Sequence, residues 1–349
     1  MAVRRAVSSG LLTYLRWLRL CRLILLVRKR VARQASAKLR SINLGPGGRM
    51  LRNSLLRVAL TQWGGVSALL LALVPFPVQA PEPLVRGLDH IPVVVRDLDR
   101  AEADFRALGF VLKPGRLHGD GIRNGHVKFP DGTEIELITA TTANDELASE
   151  YLARMKSGEG PVYFGLYAPD REAVAKRLTE AGTPAQDESG SFTFPATSAL
   201  HPLFLGQRNK TSTDKPEYFA HRNGATRLSA LWVRDSPELR QALTALGVAL
   251  TPTGSCGPPG VAAEIRASLP EGDLYLVRPG SASVIAARVE VRGLSALKAV
   301  LDEAKVQTKI DKRCGREAVW VAPAVAHGIW LGFAEAEGTA PTEAASHPR

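Results

Sequence analysis
The chain has 349 residues and a net charge of +11, from 45 Lys and Arg against 34 Asp and Glu. That length suits one large domain or two small ones. Fourteen of the basic residues fall in residues 1–80, which hold no Asp or Glu, so residues 81–349 carry 31 basic against 34 acidic side chains. The basic excess belongs to the N-terminal segment, and the rest keeps no electrostatic footprint for nucleic acid.

Residues 1–49 form an arginine-rich, acid-free leader. Residues 50–80 then read as a signal peptide. Arg52 and Arg57 give a positive start, Val66–Phe76 a short apolar core, and Val78-Gln79-Ala80 the end of a cleavage site. The apolar run is shorter than the roughly 20 residues a membrane helix needs. The expectation is export to the periplasm or outside, with a cut between Ala80 and Pro81. The alternative is an anchor over residues 58–80, with membrane contact only through this segment. A leader ahead of a signal peptide is simplest as a mis-assigned start, with Met50 the true first residue. A membrane-surface helix around Leu11–Val31 and an organellar transit peptide are the other readings. A native peptide from residues 5–49, detected by mass spectrometry, would remove the mis-start.

The stretch Leu88–Thr139 sets the pattern for the remainder of the chain. Its first residues are β-branched or apolar and predict a strand. Asp97 offers a helix N-cap. Leu98, Ala101, Phe105 and Leu108 come next at helical spacing, and Gly109 can turn left-handed to stop the helix. Strands around Val111 and His126–Phe129, the Pro130-Asp131-Gly132 turn and a strand Thr133–Thr139 complete a β-α-β-β-β order. Parity puts Ile91, Val93 and Val95 on one side of the first strand and His90 on the other. It likewise separates Ile135 and Leu137 from Glu134 and Glu136. A curved sheet would bring His90 and Glu136 into one cavity.

The same order recurs. The second unit has a strand Val162–Tyr167, a cap at Asp170 and a stop at Gly182. The third has Leu228–Val233, a cap at Asp235, Pro237 early in the helix and a stop at Gly247. The fourth has Ala286–Val291, with Gly293 and Lys305 in place of cap and stop. Cap and stop are twelve residues apart in every unit. Apolar strands Ile135–Thr139, Pro202–Gly206, Asp273–Val277 and Gly328–Phe333 close the units. The polar stretch 208–224 reads as the linker between pairs, and the tail 337–349 as disordered. The fold class is α+β: four βαβββ modules in two paired domains with curved mixed sheets, 86–207 and a more degenerate 225–336.

Leu88-Asp89-His90-Ile91, Arg96-Asp97-Leu98-Asp99, Ala107-Leu108-Gly109-Phe110 and Asp131-Gly132-Thr133-Glu134-Ile135-Glu136-Leu137 resemble the vicinal-oxygen-chelate superfamily, specifically its glyoxalase-like branch with the glyoxalase/bleomycin-resistance fold. His221-Arg222-Asn223-Gly224-Ala225 resembles that branch too. The resemblance implies paired modules around a cavity. There a divalent metal (Zn, Ni, Fe or Mn) would be held by His90 and Glu136, with Glu136 also moving a proton. Three or more protein ligands are normally needed. Yet the positions matching His90 are about Tyr163, Leu228 and Ala286, and those matching Glu136 are Phe204, Tyr275 and Leu331–Gly332. His118, Arg123, Asn124, His126, Tyr163 and His201 are the other candidate cavity residues, with Arg123 or Lys128 a candidate partner for Glu136.

The resemblance leaves two functions open. One is binding of a small oxygenated molecule at a site whose metal ligands have degenerated, as in sequestering members of the superfamily. The other is a metal-dependent lyase, isomerase or ring-cleaving dioxygenase. Such modules also pair across chains, so a homodimer fits the pattern. Cys256 and Cys314 each lie nine residues past their unit's helix stop. At these equivalent places an exported chain could bridge them; two free thiols are the alternative.

Overall fold
The computed structural model describes residues 82–336 except 119, 120, 184, 189, 279 and 281. The leader 1–49, the signal peptide 50–80 with its cut, and the tail 337–349 lie outside the described residues. The described chain belongs to a single compact unit. Among the described residues no helix is long and apolar enough to cross a membrane.

The first half begins with β1 (Gly87–Leu88), β2 (His90–Val94), α1 (Leu98–Ala107), β3 (Lys113–Leu117), β4 (Ile122–Lys128) and β5 (Glu134–Ala140). It continues with α2 (Glu146–Ser157), β6 (Gly160–Pro161), β7 (Phe164–Tyr167), α3 (Arg171–Glu180), β8 (Gln186–Glu188), β9 (Ser191–Thr193) and β10 (Leu203–Gly206). Two five-stranded sheets result, β3-β4-β5-β2-β6 and β1-β7-β10-β9-β8. They share a seam: each module lends a short strand to the other's sheet. β1 runs antiparallel to β7, and β6 antiparallel to β2. That exchange sets His90 of one sheet beside Phe204 of the other, with ring centroids 4.8 Å apart.

A short 3-10 helix, Pro216–Phe219, interrupts the stretch between the halves. The second half holds β11 (Ala225–Arg234), α4 (Pro237–Ala245), β12 (Ala249–Cys256), β13 (Ala263–Leu269), β14 (Gly272–Val277), β15 (Val284–Val291), α5 (Leu294–Glu303), β16 (Thr308–Asp311), β17 (Ala318–Val321) and β18 (Trp330–Glu335). Its strands form one eight-stranded sheet, β12-β13-β14-β11-β15-β18-β17-β16. Parallel and antiparallel pairs mix in it, as the repeated β-α-β-β-β order requires.

The expected helices form, for the expected reasons. The Asp97 and Asp170 carboxylates accept from Arg100 N and Ala173 N, satisfying first-turn donors that have no partner inside the helix. In the third unit the cap is Ser236 rather than Asp235: its hydroxyl accepts from Leu239 N. Asp235 pairs with Arg240 instead. Gly293 caps without a side chain, and Glu335 accepts from Leu294 N in its place. Beyond the helix ends, Gly109, Gly182 and Gly247 take φ of +89°, +64° and +84°, and Lys305 takes +56°. All four units therefore stop by the same left-handed turn.

One apolar core joins the inner stripes of α1, α3, α4 and α5 to the helix-facing sides of all the sheets. Ile91, Val93, Val95, Ile135 and Leu137 lie in it, as their parity requires. The stretch 208–224 packs against the first half. His221 is buried, accepting from Val111 N through Nδ1 (3.0 Å) and donating through Nε2 to the Lys128 carbonyl (2.9 Å). Burial pushes its pKa below the usual imidazole value, which suits the neutral tautomer those two bonds demand. Asn223, also buried, donates to the Leu108 carbonyl and accepts from Ala225 N. The His221–Ala225 motif is thus a structural clamp on the end of α1.

Candidate functional site
On the face opposite the helices the two halves differ. In the second half the centre of that face is filled. Trp232 stacks on Tyr275 (4.6 Å between centroids) and meets Trp320 edge-on (5.3 Å), and the Arg288 guanidinium lies 5.7 Å from the Trp232 ring. A disulfide between Cys256 and Cys314, with Cα atoms 4.7 Å apart, joins the end of β12 to the turn after β16. It settles the open choice between a bridge and free thiols.

In the first half the corresponding space is a cavity of about 460 Å³. His90 and Pro92 of β2, Ile122 and Asn124 of β4, and Glu136 and Ile138 of β5 form one wall. The second sheet forms the other, with Tyr163, His201 and Phe204 prominent. The first turns of α2 and His118 border it. Among the candidates, His90, His118, Asn124, Glu136, Tyr163 and His201 come together here. Arg123 and His126 do not. Arg123 is exposed and points to Asp99, 3.4 Å away. His126 shares the face of Asn124 but turns away from the cavity to bond Glu134, in a cluster with the buried Lys128.

Two polar centres face this space. His90 Nδ1 donates to the buried Asp89 carboxylate (3.1 Å), and its Nε2 lies 3.9 Å from Glu136 Oε2. Burial pulls the imidazole pKa down. The Asp89 hydrogen bond and the charges of Asp89, Glu134 and Glu136 outweigh it and raise the value to about 9. Glu136 Oε1 accepts from Asn124 Nδ2 at 2.7 Å, so its partner is Asn124 rather than Arg123 or Lys128. In the second centre, His201 Nδ1 donates to the Phe194 carbonyl (3.0 Å). Its Nε2 then meets Glu150 Oε1 at 3.0 Å and the Tyr163 hydroxyl at 3.3 Å. A contact of imidazole nitrogen with carboxylate closes only with a proton between them.

Glu150 is the residue that sequence reasoning missed. It lies on α2, which also sends Glu146, Leu147 and Tyr151 to the cavity. The helix had a legible signature. Asp145 caps it by accepting from Ala148 N, and Ala148, Tyr151, Leu152 and Met155 repeat at helical spacing against the floor of the site.

The metal implied by resemblance requires at least one more donor than His90 and Glu136 provide. Strand register identifies the corresponding residues. Glu136 pairs with Pro92, as Phe204 does with Gly165, Tyr275 with Trp232 and Gly332 with Arg288. His90 therefore corresponds to Tyr163, Ala230 and Ala286. Ala230 replaces the expected Leu228: Trp232 is the residue opposite Tyr275, and Leu228 lies in the helix-side core. Phe204 fills the position next to His90 with a ring. Among the described residues no group of three or more His, Cys, Asp or Glu is placed to hold a metal ion. The donor set does not fit one.

Comparison with known proteins bears on one part of the chain. Residues 88–251 match the model of a glyoxalase-like domain. That stretch carries a glyoxalase-like domain, in line with the resemblance to the vicinal-oxygen-chelate superfamily read from its motifs. Its fold is similar to that of the 2,3-dioxygenase LapB from Pseudomonas sp. KL28, at TM-score 0.50 and 11% identity, over 73% of this chain and 93% of that one. It is also similar to a variant of homoprotocatechuate 2,3-dioxygenase from B. fuscum in complex with HPCA, at TM-score 0.52 and 12% identity, over 75% and 74%. At these identities the likeness is one of fold. No curated protein matches the chain.

Proposed function
We propose that this glyoxalase-like chain binds a small oxygenated molecule in the first-half cavity and does so without a resident metal. The observation that carries the reading is the contrast between halves of one fold: one face is packed with Trp232, Tyr275 and Trp320, while its counterpart is open. Its open walls carry convergent donors and acceptors, namely His90 with Asp89, Glu136 with Asn124, and Tyr163 with His201 and Glu150. A concave site with an apolar lining and a few polar groups converging on it is the usual form of a small-molecule site. Hydroxyl and carbonyl oxygens would be met by the His90 imidazolium and the Tyr163 hydroxyl. The Cys256–Cys314 bridge supports export of the chain, since disulfides persist in oxidising compartments.

Thermal denaturation across a panel of small carbonyl and hydroxyl compounds tests the reading. Ala196 lines the cavity and is exposed, so Ala196→Trp should obstruct the space without disturbing the core. A ligand that raises Tm in the wild type should fail to do so in Ala196→Trp, whose own Tm stays unchanged. Equal ligand-induced shifts in both proteins would place binding elsewhere and defeat the proposal.

A further inference from the structure
The charged side chains lining the cavity are unbalanced. Glu136, Glu146, Glu150 and Glu188 line it, while among the described lining residues there is no Lys or Arg. Among the described lining residues, the imidazoles of His90, His118 and His201 are the only other ionisable groups besides the two tyrosines. Four carboxylates against three imidazoles leave the lining negative even with every imidazole protonated. The nearby cations are committed elsewhere: Arg123 to Asp99 and Lys128 to Glu134.

The carboxylates are graded by depth. Glu146 and Glu188 are exposed at the rim and have no ion-pair partner among the described residues, whereas Glu136 and Glu150 are partly buried. The walls also carry the rings of Tyr151, Tyr163, Phe194 and Phe204. Ring faces attract a cation and also stack on a flat apolar body. An anion entering the same space would meet four carboxylates and no guanidinium or ammonium to receive it.

We infer that the ligand class of this cavity is a protonated amine attached to an aromatic or similarly flat apolar body. The inference rests on the cavity being the ligand site. The rim carboxylates draw the ammonium in, Glu136 and Glu150 hold it, and the rings enclose the body. The oxygen-bearing part of the molecule is left to His90 and Tyr163.

Three probes with the same ring and two-carbon arm separate charge from shape: 2-phenylethylamine, 2-phenylethanol and phenylacetate. Calorimetric titration of the full chain should rank them amine, alcohol, acid, with the amine about tenfold tighter than the alcohol. The advantage of the amine should shrink with added salt. It should also shrink in the double variant Glu146→Gln, Glu188→Gln, which changes only exposed side chains and should leave the alcohol's affinity as it was. An alcohol or acid that binds as tightly as the amine overturns the inference and leaves the cavity as a ligand site. No binding by any of the three also overturns the inference, while the cavity reading itself stands or falls with the Ala196→Trp comparison.

Discussion

Replacing Trp232 by Ala is expected to lower the unfolding free energy by about 4 kcal/mol, in the upper range for a buried aromatic side chain. Trp232 is fully buried and shares with Trp320 the place of largest buried side chain in the packed face of the second half. Its ring is held by Tyr275 on one face and Trp320 at the edge. Its Nε1 donates to the Cys256 carbonyl at 3.0 Å. Truncation would leave a void that rigid neighbours cannot close. It would also leave the Cys256 carbonyl without that donor and Arg288 with only the Tyr275 ring beside it. Arg288 is itself buried, and burial lowers its pKa below the usual guanidinium value. Urea unfolding monitored by far-UV dichroism measures the loss; a cost below about 1 kcal/mol would mean the face is loosely packed. The same packing explains why a ligand-type Glu could not be restored at Gly332: even a Cβ there would lie 2.5 Å from the Trp320 ring.

The second large effect lies beneath the open cavity. Lys128, only 2% exposed, donates to Glu134 at 2.7 Å and to the Asn209 carbonyl, with Asp214 at 3.7 Å. Lys128→Ala takes a hydrogen-bonded cation from a buried carboxylate, and about 3–5 kcal/mol of stability should go with it. Burial tends to raise the Glu134 pKa. The His126 hydrogen bond and the charges of His126, His90 and Lys128 outweigh that and lower it from 4.5 to about 2. A carboxylate with a depressed folded-state pKa stabilises the protein above its unfolded value. That contribution, on the order of 3 kcal/mol, should be complete above pH 4.5 and disappear as the pH falls toward 2. Urea midpoints at pH 7 and pH 3 should therefore differ less in Lys128→Ala than in the wild type. A variant with wild-type stability at pH 7 would show that the pair contributes nothing net.

Much of this architecture was legible because helix stops and strand parity are local properties. Asp97, Asp170 and the glycines at 109, 182 and 247 act within one turn of the backbone, and even Lys305 takes the turn its position demanded. Parity separated the core residue Ile91 from the cavity residue His90 without any knowledge of the sheet. What was not legible depends on pairing between strands. The equivalence expected at Leu228 falls at Ala230, which only the pairing of β11 with β14 shows. Across β4 and β5, Glu136 stands directly opposite His126, yet it bonds the diagonal neighbour Asn124, while His126 bonds Glu134. Direct and diagonal partners are both within reach of such side chains, so sequence spacing alone cannot choose between them. Glu150 went unseen because α2 lies outside the four-fold repeat, although its cap and apolar spacing were present in the sequence.

Elemental analysis of the full chain tests most directly whether the polar groups of the cavity work without a metal. The protein would be purified without a His tag and incubated with Zn, Ni, Fe(II) and Mn. The wild type should retain no stoichiometric metal after desalting, and His90→Ala and Glu136→Ala should be indistinguishable from it. One tightly held ion per chain, lost in both variants, would contradict a metal-free cavity and return His90 and Glu136 to the role of metal ligands.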